Sequence, residues 1–207
     1  MCPESATVVL ILSADDFAYT TNAGCLMMQK QIENVQDQIV DTLKSTLPLI
    51  RAGSPKQRQS NKWWTFHIKN SVCALGARHD FYVSAADVDG NHTNNGEWLY
   101  DVTWSDYGPE GFPKNHADRQ LRRVYLALES EMGNLGDIFD DFEKLIQSTA
   151  LVRVFSFAAP TEAKFNTICE LLKTTAEKYD PRISALYVLA GFPTSSEDEP
   201  LFCLFDV

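Results

Sequence analysis

Trp98-Leu99-Tyr100-Asp101-Val102-Thr103-Trp104 has the aromatic and β-branched make-up of a strand, with an acidic residue at its centre. A strand ordinarily buries something apolar at that place, so Asp101 either marks an edge or serves chemistry. The next run, Leu121-Arg122-Arg123-Val124-Tyr125-Leu126-Ala127-Leu128-Glu129-Ser130-Glu131, sets Val124, Leu126 and Leu128 against Tyr125, Ala127 and Glu129. It reads as a second strand, and because side chains alternate, Glu129 and Glu131 share a face. Upstream, Asp80-Phe81-Tyr82-Val83-Ser84-Ala85 reads as a third strand, joined to residues 98–104 through a polar loop at 87–96.

The pattern changes on both sides of these strands. Leu26, Ile32, Val35, Ile39, Val40, Leu43 and Leu47 recur at helical steps, predicting an amphipathic helix that Pro48 and Gly53 should close. A second helix is expected over Phe66 to Arg78. Beyond Gly133 and Gly136, residues Asp137 to Gln147 carry Ile138, Phe139, Phe142, Leu145 and Ile146 on one face. Strands are then expected at Leu151–Ala158, Ile183–Ala190 and Leu201–Val207, with a helix over Thr161–Lys178 capped by Thr161. A further short strand is read at Thr7–Leu12, and Thr194–Pro200 reads as a solvated hairpin loop. Helices alternating with strands in this order imply one α/β domain over residues 1–207, a mixed central sheet flanked by helices.

Of the 207 residues, 18 are Lys or Arg and 28 Asp or Glu, a net charge of −10 that repels polyanions unless it is segregated. It is segregated. From Arg51 to His79 the chain holds Arg51, Lys56, Arg58, Lys62, Lys69 and Arg78 and no acidic residue, about +6 there against −16 elsewhere. The stretch is either a solvated loop with helix ends or a phosphate-contacting surface, whose binding would fall with salt as counterions are released. Trp63 and Trp64 sit inside it, either as core residues beside a helix start or as a platform for a base.

The longest apolar run is too short to span a membrane, and no cationic segment precedes it, so no membrane partner and no secretory route are expected. Five widely spaced cysteines without Cys-x-x-Cys suit a reduced, cytoplasmic protein lacking a zinc site. The four histidines show no metal-ligand spacing, and no Walker, Gly-x-Ser-x-Gly or Gly-x-Gly-x-x-Gly motif is present.

Placed on neighbouring strands, Asp101, Glu129 and Glu131 would converge. Unpaired carboxylates in one place repel, so they should either hold a divalent cation or raise a member's pKa. Oxygen donors without sulfur favour Mg²⁺ or Mn²⁺. The opposing reading leaves Glu129 and Glu131 in solvent at a strand end and pairs Asp101 with Arg122 or Arg123.

An Asp on the second strand of a hairpin, then Glu-x-Glu at the end of the third strand, then helix and strand, resembles the PD-(D/E)XK nuclease superfamily, the restriction-endonuclease-like fold. The resemblance covers about residues 66–159, with N-terminal strand-helix and C-terminal helix-strand-strand additions. It implies a Mg²⁺-dependent nuclease hydrolysing nucleic-acid phosphodiesters, DNA foremost, with Asp101, Glu129 and the Ser130 carbonyl as metal ligands and a homodimer as one arrangement for cutting both strands. The chain departs from the family in two places. Tyr100 stands where the family has Pro, and Glu131 occupies the usual Lys position, where a second Glu would act as base or bind a second metal. Alternatively Lys144, in Asp141-Phe142-Glu143-Lys144-Leu145, supplies the lysine from the following helix, although a helical wheel turns it about 160° from the apolar face. An acidic residue on a helix preceding the first strand, common in the family, has only Glu33 as a candidate. The basic residues Arg51, Lys56, Arg58, Lys62 and Lys69 would contribute backbone contacts. Two other readings stay open: a non-catalytic interaction module on the same fold, and a metal-dependent hydrolase of a small phosphate ester.

Overall fold

A computed structural model of the chain describes residues 22–108, 120–180, 185–193 and 198–207. The strand read at Thr7–Leu12 and most of the loop read at Thr194–Pro200 lie outside them, as does the side chain of Glu33. The chain divides into two compact units, residues 1–35 and 36–207. In the first, the described residues are helical from Asn22 onward, as part of α1 (Asn22–Arg51).

The second unit is α/β. After α1 come α2 (Pro55–Arg58), α3 (Asn61–Arg78), β1 (Tyr82–Ala85), a 3-10 turn, β2 (Val102–Gly108), β3 (Gln120–Glu131), α4 (Leu135–Gln147), β4 (Val152–Ala158), α5 (Glu162–Tyr179), β5 (Leu186–Phe192) and β6 (Leu201–Asp206). The six strands form one mixed sheet in the order β1-β2-β3-β4-β5-β6. β1, β2 and β3 are antiparallel, β3, β4 and β5 run parallel with α4 and α5 in the crossovers, and β6 returns antiparallel. The central strands β4 and β5 are buried along nearly their whole length, as strands covered on both faces must be.

Local chemistry explains most element ends. Ile39, Leu43, Leu47 and Ile50 are fully buried along α1. The helix continues through Pro48, where it was expected to stop, because the Pro48 carbonyl still accepts from Ala52 N at 3.0 Å. Only the amide that proline lacks is lost, and the helix closes three residues later. Ser54 and Gln57 form a capping box on α2. Asn134 caps α4 by accepting from the amides of Gly136 and Asp137, and Thr161 caps α5 by accepting from Lys164 N. Ile138, Phe142, Leu145 and Ile146 of α4 join Phe155, Phe157, Phe165, Leu172 and Tyr187 in a core on one side of the sheet.

On α3, Gly76 lets the helix approach β2: a Cβ there would lie 2.4 Å from Nε1 of the fully buried Trp104. Gly76→Ala is therefore expected to destabilise the protein by about 1–3 kcal/mol through overpacking, despite alanine's better helix propensity. A urea midpoint equal to that of the wild type would show that Trp104 yields without cost.

Two corrections bear on the site. Asp101 is not in the middle of a strand; β2 begins at Val102. Leu99 takes a left-handed backbone (φ 65°) and Trp98 and Tyr100 bridge each other, so the run turns sharply just before the strand. Its aromatic content signalled burial, yet Trp98 and Leu99 are 37% and 70% exposed. Second, α3 starts at Asn61, five residues before the expected Phe66, and so takes in Trp63 and Trp64.

Candidate functional site

β3, β4 and β5 end at one edge of the sheet, and β2, running the other way, begins there. That edge collects Asp101 at the entrance to β2 and Glu129, Ser130 and Glu131 at the end of β3. Val102 pairs with Leu128, so the register carried back by one residue sets Asp101 beside Glu129.

Asp101 is held from two sides. Its Oδ2 accepts from Ser130 N at 2.9 Å and its Oδ1 from Lys69 Nζ at 3.1 Å. Burial raises its pKa, against the opposing pull of Lys69 and of the Ser130 amide. The Ser130 carbonyl accepts from Thr65 Oγ1 at 3.5 Å, tying the same strand end to α3.

Glu129 is only 4% exposed, and its Oε1 is buried without a hydrogen-bond partner. Desolvation, reinforced by the negative charge of Asp101, pushes its pKa up to about 8. Glu131 folds back so that one carboxylate oxygen accepts from Gly133 N in the β3–α4 turn, and burial raises its pKa as well.

Lys144 projects from the exposed face of α4, as the helical wheel predicts, yet its flexible stem brings Nζ back to the carboxylates, 2.5 Å from Asp141 and 3.9 Å from Glu129. The hydrogen bond it donates to Asp141 raises its pKa.

Lys69, expected among the nucleic-acid contacts, lies instead among the carboxylates. The residue is 4% exposed, and its ammonium lies between Asp101 and Glu97, the latter at 3.4 Å. A charge count along the chain has no distances in it, so this lysine was grouped with Arg51 and its neighbours. The signal was nevertheless there: Lys69 falls among Ile68, Val72 and Cys73 on the buried stripe of α3, where an ammonium needs a partner. Asp101 is accordingly paired with Lys69 and not with Arg122 or Arg123. Glu97 and Asp141 were not singled out, since neither has a local signature.

The remaining basic residues divide. Arg51 is engaged, with its guanidinium on the Asp198 carbonyl and 3.6 Å from Glu199. Lys56 and Lys62 are exposed, and with half-buried Arg58 they have no acidic partner among the described residues.

Asp101, Glu129, Glu131, Asp141 and Glu97 thus face two lysines. Among the described residues no three His, Cys, Asp or Glu side chains form a ready-made metal nest. A site of two carboxylates still suits Mg²⁺ or Mn²⁺, since Mg²⁺ keeps several waters and uses one or two protein carboxylates together with substrate phosphate. The buried Oε1 of Glu129 makes no hydrogen bond, its nearest cation being the Lys144 ammonium at 3.9 Å. Both carboxylates are oxygen donors of the kind such an ion takes.

Cys73, Cys169 and Cys203 are free thiols. Among the described residues no helix is long and apolar enough to cross a membrane. No family model, curated protein or solved structure matches the chain.

Proposed function

We propose that the protein is a metal-dependent nuclease that hydrolyses phosphodiester bonds, DNA being the expected substrate. The observation that carries this reading is Glu129: a carboxylate buried at the sheet edge beside Asp101, with its Oε1 making no hydrogen bond and lying 3.9 Å from the Lys144 ammonium. A carboxylate so placed costs stability, because a long ion pair to a half-exposed lysine offsets little of its desolvation. The order α3-β1-β2-β3-α4-β4, with acidic residues at the start of β2 and the end of β3, adds support.

Asp101 and Glu129 would hold the Mg²⁺ or Mn²⁺, with the Ser130 carbonyl at the same strand end. When bound, the ion would lower the pKa of a water and offset the charge that builds on the phosphate. Ser130 N and Lys69 fix the Asp101 carboxylate, so that its orientation does not depend on the ligand. Lys144, exposed and beside Glu129, supplies a cation for the scissile phosphate and orients the attacking water. Glu131, tied to the Gly133 amide by one oxygen, is the general-base candidate through the other.

One observation favours a non-catalytic module on the same fold: the Lys69 ammonium, 3.1 Å from Asp101, already neutralises part of the cluster. Thermal unfolding with and without Mn²⁺ separates the two readings. In the nuclease reading Mn²⁺ at a hundredfold excess over Kd raises the stability of the wild type by about 2.7 kcal/mol and leaves Glu129→Gln unmoved. No rise in the wild type, together with no cleavage of single- or double-stranded DNA, would leave the module reading.

A further inference from the structure

Beside the carboxylates, at the same sheet edge, lies a cavity of about 230 Å³ lined by Arg58, Trp64, Met132, Ala158 and Phe192. Met132 directly follows Glu131. Trp64 directly precedes Thr65, whose hydroxyl reaches Ser130 at 3.4 Å. Ala158 and Phe192 are paired at the ends of β4 and β5. In open α/β sheets, ligands gather outside the carboxyl ends of parallel strands, which is where this cavity sits.

Its walls are of two kinds. Trp64 stands edge-on to Phe192, with ring centroids 6.0 Å apart, and Met132 and Ala158 complete an apolar wall. The Trp64 indole is held in place by donating from Nε1 to the Arg58 carbonyl at 2.7 Å. The Arg58 guanidinium is without an acidic partner among the described residues, and exposed Lys56 and Lys62 flank it along the chain. An apolar pocket walled by an indole and lined also by an arginine matches one nucleobase with its phosphate. The volume falls below the roughly 300 Å³ at which drug-sized ligand sites begin, which leaves room for one base and excludes a stacked run.

We infer that this pocket receives a single unpaired base next to the scissile phosphate, with Trp64 as its wall and Arg58 on the phosphate, so that the substrate is single-stranded or locally unpaired nucleic acid. A base inside a duplex would have to leave its stack to enter. The inference rests on the nuclease reading for the identity of the neighbouring site, and the pocket is testable without cleavage.

The experiment uses the full chain labelled with ¹⁵N-indole tryptophan, in EDTA so that no strand is cut, titrated with a thymidine pentanucleotide. The Trp64 resonance, assigned through Trp64→Phe, is expected to shift and saturate. Ala158→Leu, which fills the pocket without touching the carboxylates, should raise Kd at least about tenfold. Arg58→Ala should raise it less and reduce the salt slope by about one. A blunt duplex of about 15 base pairs, long enough to stay paired, should leave the resonance in place. A Trp64 resonance unmoved by saturating pentanucleotide, an Ala158→Leu variant that binds as the wild type does, or an equal shift with the duplex would each overturn the inference. Cleavage in Mn²⁺, followed in parallel, separates the two failures. Cleavage with a silent Trp64 removes the pocket and keeps the nuclease; a saturating shift without cleavage of any strand keeps the pocket and removes the nuclease.

Discussion

Glu129→Gln is expected to be more stable than the wild type in EDTA and at the same time at least about a hundredfold less active on nucleic acid. The pH dependence follows from the direction of the shift. The folded-state pKa of Glu129 is about 8 against an ordinary 4.5, so between these values the native protein binds more protons than the unfolded chain. The wild type therefore loses stability as pH rises through that window, while glutamine has no proton to give up. The two proteins should match below pH 4.5 and separate by on the order of 3–5 kcal/mol at pH 9, since each pH unit between the two pKa values is worth about 1.4 kcal/mol. Urea midpoints at pH 5, 7 and 9 in EDTA measure this. A variant that is the less stable of the two at pH 9 would refute the reading of Glu129 as a destabilising buried carboxylate. In saturating Mn²⁺ the order should reverse, since only the wild type gains a ligand.

Glu129→Gln is the better probe because it separates chemistry from folding. Replacing Asp101 by Ala, the obvious choice on sequence alone, would take the nearest counter-charge from the buried ammonium of Lys69. Loss of activity in that variant would then mix lost ligation with lost structure.

Arg153→Met is expected to cost about 3–5 kcal/mol, measured as a fall in urea midpoint at constant slope. The Arg153 and Asp180 side chains are paired at 0% exposure. The same guanidinium donates to the Tyr187 hydroxyl and, at 3.1 Å, to the Ser148 carbonyl, while Tyr187 donates to Asp180 at 2.9 Å. Burial pushes the Tyr187 phenol up, so it stays a donor. Removing arginine alone leaves the Asp180 carboxylate buried without its paired guanidinium, and that accounts for the magnitude. Arg153→Met combined with Asp180→Leu should recover most of the loss, as replacement of both partners by apolar groups commonly does. A single variant within about 1 kcal/mol of the wild type would show that the Arg153 guanidinium is not what offsets the Asp180 charge.

Legibility in the sequence followed the range of the forces involved. α4, α5 and β3 to β6 were readable because their signals are local: the cap Thr161, the stripe Ile138-Phe142-Leu145, the alternation in residues 121–131. The adjacency of Asp101 and Glu129 was also within reach, because hairpin neighbours pair in chain order. The turn before Asp101 was not, since a single left-handed residue at Leu99 leaves no mark on composition. Lys69 was misplaced for a related reason. Its charge was counted with its neighbours along the chain, whereas its partners lie 28 and 32 residues away. The Trp64 pocket needed β4 and β5 in place before its walls existed.

Because the spatial order of the strands repeats their order in the chain, each new strand docks on the one made just before it. No strand has to be threaded between two that are already paired, which keeps loop-closure entropy low and favours quick assembly. During synthesis, residues 61–144 emerge before β4 and β5 and carry every carboxylate and lysine of the candidate site. The pocket beside them stays open on its far side until β5 arrives with Phe192. The growing chain thus has its acidic edge before it has the Phe192 wall of the neighbouring pocket, so the two halves of this sheet edge are completed at different stages of synthesis.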